Sequence, residues 1–204
     1  MSKWNTIATD SSIEKTVASL KEHGINALVV STKEDAKAKV AELIPQKSEV
    51  MTMTSRTLEE TGIDALINTS GQYDGVKPRL YALDRATQGK QMQQMGAASD
   101  YAIGSVHAVT EEGTVVIASN TGSQLAGYAY GSSNVIFVVG AQKVVPTLDD
   151  AMKRIYEYVL PLESERAHKA YGVAASNVSK ILIISKEVNP SRITLILVKE
   201  SLGF

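Results

Sequence analysis

Two apolar runs, Thr114–Ala118 (TVVIA) and Val135–Val139 (VIFVV), constrain this chain more than any other feature. Each has strand length, is dense in β-branched residues and reads as a buried strand. The first leads into Asn120-Thr121-Gly122-Ser123 and a predicted short helix, Gln124–Tyr130. The second leads to Pro146 and then Thr147-Leu148-Asp149-Asp150, a helix-opening signal. An acidic turn, Glu111-Glu112-Gly113, stands just before the first run. Strands that feed helix N-termini define an α/β sheet, and small anions bind where such strands end.

The remainder of the chain repeats the alternation. Asp10 and Ser11 open a helix with Ile13, Val17 and Leu20 on one face, and Gly24 closes it. Ile25–Val30 is a predicted strand, and Thr32 with Asp35 resembles a capping box for a helix ending near Leu43, before Pro45. Glu49–Thr52 is a second strand, and Ser55 caps a helix carrying Leu58, Ile63 and Leu66. Between Gly71 and Asp100 no good strand is visible. Lys77-Pro78-Arg79 begins a helix on which Met92 and Met95 read as core filler. Pro161 separates the helix opened at Thr147 from a second, Leu162–Tyr171, whose Arg166, His168 and Lys169 form a solvated face or an oligomer contact. Lys180–Ile184 and Ile193–Val198 close the chain as strands. The pattern predicts a mostly parallel sheet flanked by helices, and with no linker or repeat a single domain over 1–204.

Composition narrows the function. A chain of 204 residues buries roughly 70% of its unfolded surface, enough for a full core. A net charge of −1 offers no basic surface for nucleic acid. No apolar run approaches the ~20 residues that span a bilayer, and the first residues turn polar too soon for a secretory signal, which points to the cytoplasm. The absence of cysteine excludes thiolate nucleophiles and cysteine-ligated iron–sulfur clusters. His23, His107 and His168 are too widely spaced for a local metal motif. No metal site and no cofactor are expected, and any electrons travel elsewhere unless the chain borrows a flavin or nicotinamide.

Several residues have side chains suited to a small anion, each beside a plainer role. The Asn120–Ser123 loop offers free N–H groups at a helix start, or simply a cap by Ser123. Thr54-Ser55 is an equivalent loop after an earlier strand. His107 is an acid–base group or a satisfied structural histidine, and Lys143 neutralises a ligand or lies on the surface. Tyr128 and Tyr130 close over a ligand or pack a helix.

The order of these pieces resembles the LUD domain, a family named for lactate utilisation. The resemblance rests on the turn Thr110-Glu111-Glu112-Gly113-Thr114, the polar loop Asn120-Thr121-Gly122-Ser123 and the block Lys143-Val144-Val145-Pro146-Thr147-Leu148-Asp149-Asp150. An upstream block, Ser55 with Leu58, Thr61 and Gly62, extends it over about residues 49–159, leaving 160–204 as a helical and strand extension. It implies a Rossmann-like three-layer sandwich like that of ribose-5-phosphate isomerase, glucosamine-phosphate deaminase and the class I CoA-transferases. It further implies association with bacterial growth on L-lactate beside iron–sulfur or flavin subunits. It adds Gly104 and Gly113 to the ligand-binding set, and makes Glu111 the candidate catalytic carboxylate, as nucleophile or base. The acidic turn also reads as a solvated hairpin. Two functions remain: an accessory component binding a small carboxylate or phosphate in 2-hydroxy-acid use, or an enzyme acting on a CoA thioester or sugar phosphate through Glu111. Both expect Glu111 and the Asn120–Ser123 amides to share one recess.

Overall fold

A computed structural model describes residues 3–204. In chain order its elements are α1 (Asp10–Glu22), β1 (Asn26–Val30), α2 (Lys33–Leu43), β2 (Glu49–Thr52), α3 (Arg56–Glu60), α4 (Ile63–Thr69), β3 (Asp74–Gly75), α5 (Val76–Tyr81) and α6 (Arg85–Ala97). They continue with β4 (Tyr101–Gly104), β5 (Ala108–Thr110), β6 (Val115–Ser119), β7 (Asn134–Gly140), β8 (Val144–Val145), α7 (Leu148–Arg154), α8 (Leu160–Tyr171), β9 (Lys180–Ile184) and β10 (Ile193–Val198).

The strands form two sheets. The larger is wholly parallel, in the order β1-β10-β7-β4-β2-β3. The smaller is mixed, in the order β8-β5-β6-β9. Alternation along β7 explains the layering, because successive side chains point to opposite faces. Val135, Phe137 and Val139 pack with Ile13 and Leu20 of α1 and with Val109, Val115 and Ile117 of the small sheet. Ile136 and Val138 pack on the other face with Val40 of α2, Leu58 of α3 and Ile63 and Ile67 of α4. Both faces of the large sheet are therefore covered, which is why its strands read as continuous apolar runs. Beyond the small sheet, Ala151 of α7 and Ile155 cover Ala108, Val116 and Val145. The result is the three-layer α/β sandwich expected from the sequence.

Local signals explain the element boundaries. Thr32 and Asp35 form a reciprocal capping box on α2. At α1 the cap is Thr9, one residue earlier than expected, accepting from the Ser12 N–H. The helix after Ser55 splits in two because Gly62, at φ 68°, takes a left-handed conformation between α3 and α4. Pro161 does not end a helix: a wider, π-helical turn at Ile155–Val159 joins α7 to α8, and the proline falls in the first turn of α8. That turn already breaks the regular hydrogen-bond ladder just where a proline has no N–H to give. Met92 and Met95 are only half-buried, on a helix that buries none of its residues, so they are not core filler. β10, expected as part of an extension, lies inside the large sheet between β1 and β7.

Candidate functional site

Because the six strands of the large sheet are parallel, their carboxyl ends share one rim. The chain leaves β2 outward to β3 but leaves β4 in the other direction to β7, so the connections diverge between β2 and β4. Such a divergence opens a crevice at the strand ends. Thr57 follows β2 and Ser105 follows β4. Lys143, brought in from beyond β7, bridges them: its Nζ donates to Thr57 Oγ1 at 3.0 Å and to Ser105 Oγ at 3.1 Å.

Lys143 is 1% exposed, and among the described residues no carboxylate lies within ion-pair distance of it. Burial, reinforced by the nearby Arg154 charge and only partly offset by Glu60, pushes its ammonium down to about 7. Arg154, at the end of α7, is 0% exposed. Its Nη1 donates to the His107 carbonyl at 2.5 Å, while Nε and Nη2 are buried without a hydrogen-bond partner. The ring of Tyr158 lies 5.3 Å from its guanidinium carbon, and burial lowers it to about 10, so it stays charged at neutral pH. His107 accepts the Ala118 N–H through Nδ1 at 3.0 Å, which leaves the proton of the neutral ring on Nε2. Burial first, then the charges of Lys143 and Arg154, pushes His107 down to about 3.

The rest of the rim is closely fitted. Tyr128 sits in a π-helical turn, Gly127–Gly131, with its ring edge-on to Phe137 at 4.8 Å. Its hydroxyl lies where a Cβ on Gly104 would be, so only glycine fits there. Ser55 caps α3 through the Leu58 N–H. The segment after β10 crosses the crevice: the Leu202 carbonyl accepts from Thr57 Oγ1 at 3.2 Å and Gln142 Nε2 at 2.9 Å, and the Gly203 N–H donates to Glu60 at 2.8 Å. Gln142 Oε1 is a buried acceptor without a partner.

Four of the residues singled out in the sequence thus gather at this rim: Ser55, Gly104, His107 and Lys143. The others do not join them. Glu111 and Gly113 lie at the opposite end of the β5–β6 hairpin, packed against α1. Lys15 Nζ donates to Glu111 at 3.0 Å, Ser19 Oγ donates to its carbonyl, and Ser12 and Lys15 hold its carboxyl below the usual range. Gly113, at φ 82°, faces the Ser19 carbonyl at a distance no side chain permits. Asn120, Thr121, Gly122 and Ser123 follow β6 on the His107 end but turn toward β9. Ser179 and Lys180 hold Asn120 and Thr121, while the N–H groups of Gly122 and Ser123 are spent on Ser119 Oγ and Thr121 Oγ1. Glu111 and the loop amides therefore occupy the two ends of one strand, a five-residue span of roughly 17 Å.

Sequence reasoning missed Thr57, Ser105 and Arg154. Arg154 carried a readable signal, for it stands on the apolar stripe with Ala151 and Ile155, where an arginine has no ordinary place. A hollow of about 470 Å³ opens at the amino rim beside Asn26, Tyr101 and Asn134. Its one guanidinium, Arg192, already donates to three backbone carbonyls and to Glu187, which engages four of its five N–H groups. Among the described residues no cluster of His, Asp and Glu is arranged to hold a metal ion, and no helix is long and apolar enough to cross a membrane.

An α/β sandwich with buried polar side chains gathered at the carboxyl rim of a parallel sheet defines a broad class of α/β domains. Comparison narrows it. The LUD domain family matches residues 13–198, nearly the whole chain and well beyond 49–159, and the chain belongs to that family. The fold is similar to the crystal structure of a DUF162 family protein from Deinococcus radiodurans, with a TM-score of 0.57 at 13% identity, covering 95% of this chain and 99% of that one. No curated protein matches it.

Proposed function

We propose that this protein is a small-anion-binding component of L-lactate or other 2-hydroxy-acid utilisation, with its ligand at the carboxyl-rim crevice. One observation carries the reading: Lys143 and Arg154 are both buried, near enough for the Arg154 charge to act on Lys143, and among the described residues neither forms an ion pair with a carboxylate. Buried charges are normally paired, so two unpaired cations with free N–H groups describe a site that an anion completes. A carboxylate answers Arg154 Nε and Nη2, whose fork matches its two oxygens. Gln142 donates through Nε2 to the Leu202 carbonyl that Thr57 also meets, and its unpartnered acceptor Oε1 suits a hydroxyl. Family membership supports the lactate context. A chain without cysteine has no cluster of its own, so a redox role places it beside iron–sulfur or flavin subunits in the cytoplasm.

Glu111 has no such setting. Its salt bridge to Lys15 and its distance from the buried cations give the enzyme reading no supporting neighbour. The test is thermal unfolding with L-lactate, pyruvate, acetate and inorganic phosphate. A hydroxy or oxo acid should raise the melting temperature of the native protein, and Lys143→Met should weaken binding at least tenfold, about 1.4 kcal/mol. No response to any of the four, or an unchanged response in Lys143→Met, rejects the proposal.

A further inference from the structure

We propose that Lys143 is an imine-forming lysine, whose amine condenses with the carbonyl of a small 2-oxo acid while Arg154 holds the carboxylate. The proposal rests on the anion site above but asks more of it, namely covalent chemistry at Nζ. Three features carry it. First, Nζ is fixed by two hydroxyls rather than by a carboxylate, so loss of its proton leaves no buried anion behind. Thr57 Oγ1 donates onward to the Leu202 carbonyl, which leaves its lone pairs toward Nζ. Second, the neighbouring guanidinium has two buried, uncommitted N–H positions, the complement of a carboxylate one bond from the reacting carbonyl. Third, a single short segment lies against the Thr57 hydroxyl. Leu202 and Gly203 cover the hydroxyls, and Phe204 lines a separate hollow of about 340 Å³ beside Arg56, Arg166 and Lys169. That segment belongs to no helix or strand.

The chemistry balances without an added oxidant. The C–N bond forms as the carbonyl π bond opens, and the proton lost from nitrogen passes through the Ser105 and Thr57 hydroxyls. Both amine hydrogens finally leave with the carbonyl oxygen as water. A lysine near neutrality, as burial beside Arg154 makes this one, has the free amine that the first step needs. The neutral His107 ring presents an Nε2–H rather than a competing charge. A carbonyl compound lacking the carboxylate gains nothing from Arg154, which sets the ligand class as 2-oxo acids and the smallest members, glyoxylate and pyruvate, as probes.

The experiment treats the full chain with pyruvate and sodium cyanoborohydride, then maps modified lysines by peptide mass spectrometry. The expected result is one reduced adduct on Lys143, formed at least roughly tenfold faster than on any exposed lysine. Its yield should rise through a pH of about 7, whereas exposed lysines should respond only at far higher pH. Lys143→Arg should lose the adduct. Mapping the unmodified sequence suffices even where that variant folds poorly. Adducts spread over exposed lysines, or none on Lys143, overturn the imine. If L-lactate still raises the melting temperature in that case, the anion site stands without covalent chemistry; if it does not, both fall.

Discussion

The two ends of the β5–β6 hairpin carry opposite kinds of charge and manage them in opposite ways. At the turn, Glu111 is partly exposed and meets Lys15, while its carbonyl and Gly113 dock on α1. At the open end, His107 lies among Lys143 and Arg154, two buried cations without a carboxylate partner. The turn is electrostatically complete, and the open end is not. A conspicuous acidic motif can thus be an anchor, whereas a lysine just beyond a strand holds the unbalanced charge.

The contrast can be broken or sharpened by four measurements. The largest effects should come from glycines that permit close approach at each end. Gly104→Ala drives a Cβ into the Tyr128 hydroxyl, and Gly113→Ala drives one into the Ser19 carbonyl in a left-handed backbone. Each should cost about 1–3 kcal/mol in urea unfolding, and neutral outcomes would mean that the packing at that end is loose.

Next is the pH response of Lys143. Its folded value of about 7 lies below 10.5, so between the two the unfolded chain binds the extra proton. The native protein should therefore gain stability from this residue as pH rises from about 7 to 10.5, and suffer the full burial penalty below 7. Lys143→Met should be most stabilising, relative to the native chain, below neutrality, with the advantage fading toward high pH. An advantage independent of pH would show that the lysine is not desolvated. His107 should behave likewise further down. As pH falls from 6.5 to about 3 the unfolded chain takes up its proton first, and stability declines. His107→Asn, which keeps an acceptor for the Ala118 N–H, should flatten that decline.

The smallest effect belongs to Glu111→Gln. It loses a salt bridge whose lysine is 60% exposed, so the change should stay within about 1 kcal/mol, with binding at the rim untouched. A loss of lactate or pyruvate binding in this variant would unite the two ends and undo the contrast.

Much of the fold was legible because local and global signals agreed. The β7 and β10 runs are apolar on both faces because helices and the small sheet cover both, and Thr32 and Asp35 cap α2 as their spacing indicates. The helix break at Gly62 and the bridging turn before Pro161 were hidden, since both depend on backbone geometry that composition does not reveal. The site was half legible. Ser55 and Lys143 follow strands as the sequence indicated, whereas the positions of Gly104 at the end of β4 and His107 beyond it emerge only from the fold. Thr57 and Ser105 are ordinary hydroxyl residues until the parallel register brings β2 and β4 together. Arg154 reaches the crevice only because α7 folds back over β5 and β8, and no spacing rule links it to Lys143.

The position of β10 has a consequence for how the molecule is made. Asn26 of β1 pairs with Thr194 of β10, 168 positions away, and β7 pairs with the same strand from the other side. During vectorial synthesis β1 and β7 both present open, apolar flanks until β10 leaves the ribosome. Closure of the large sheet therefore waits for residues 193–198, which marks the interval before they emerge as the one most exposed to aggregation and most dependent on chaperones.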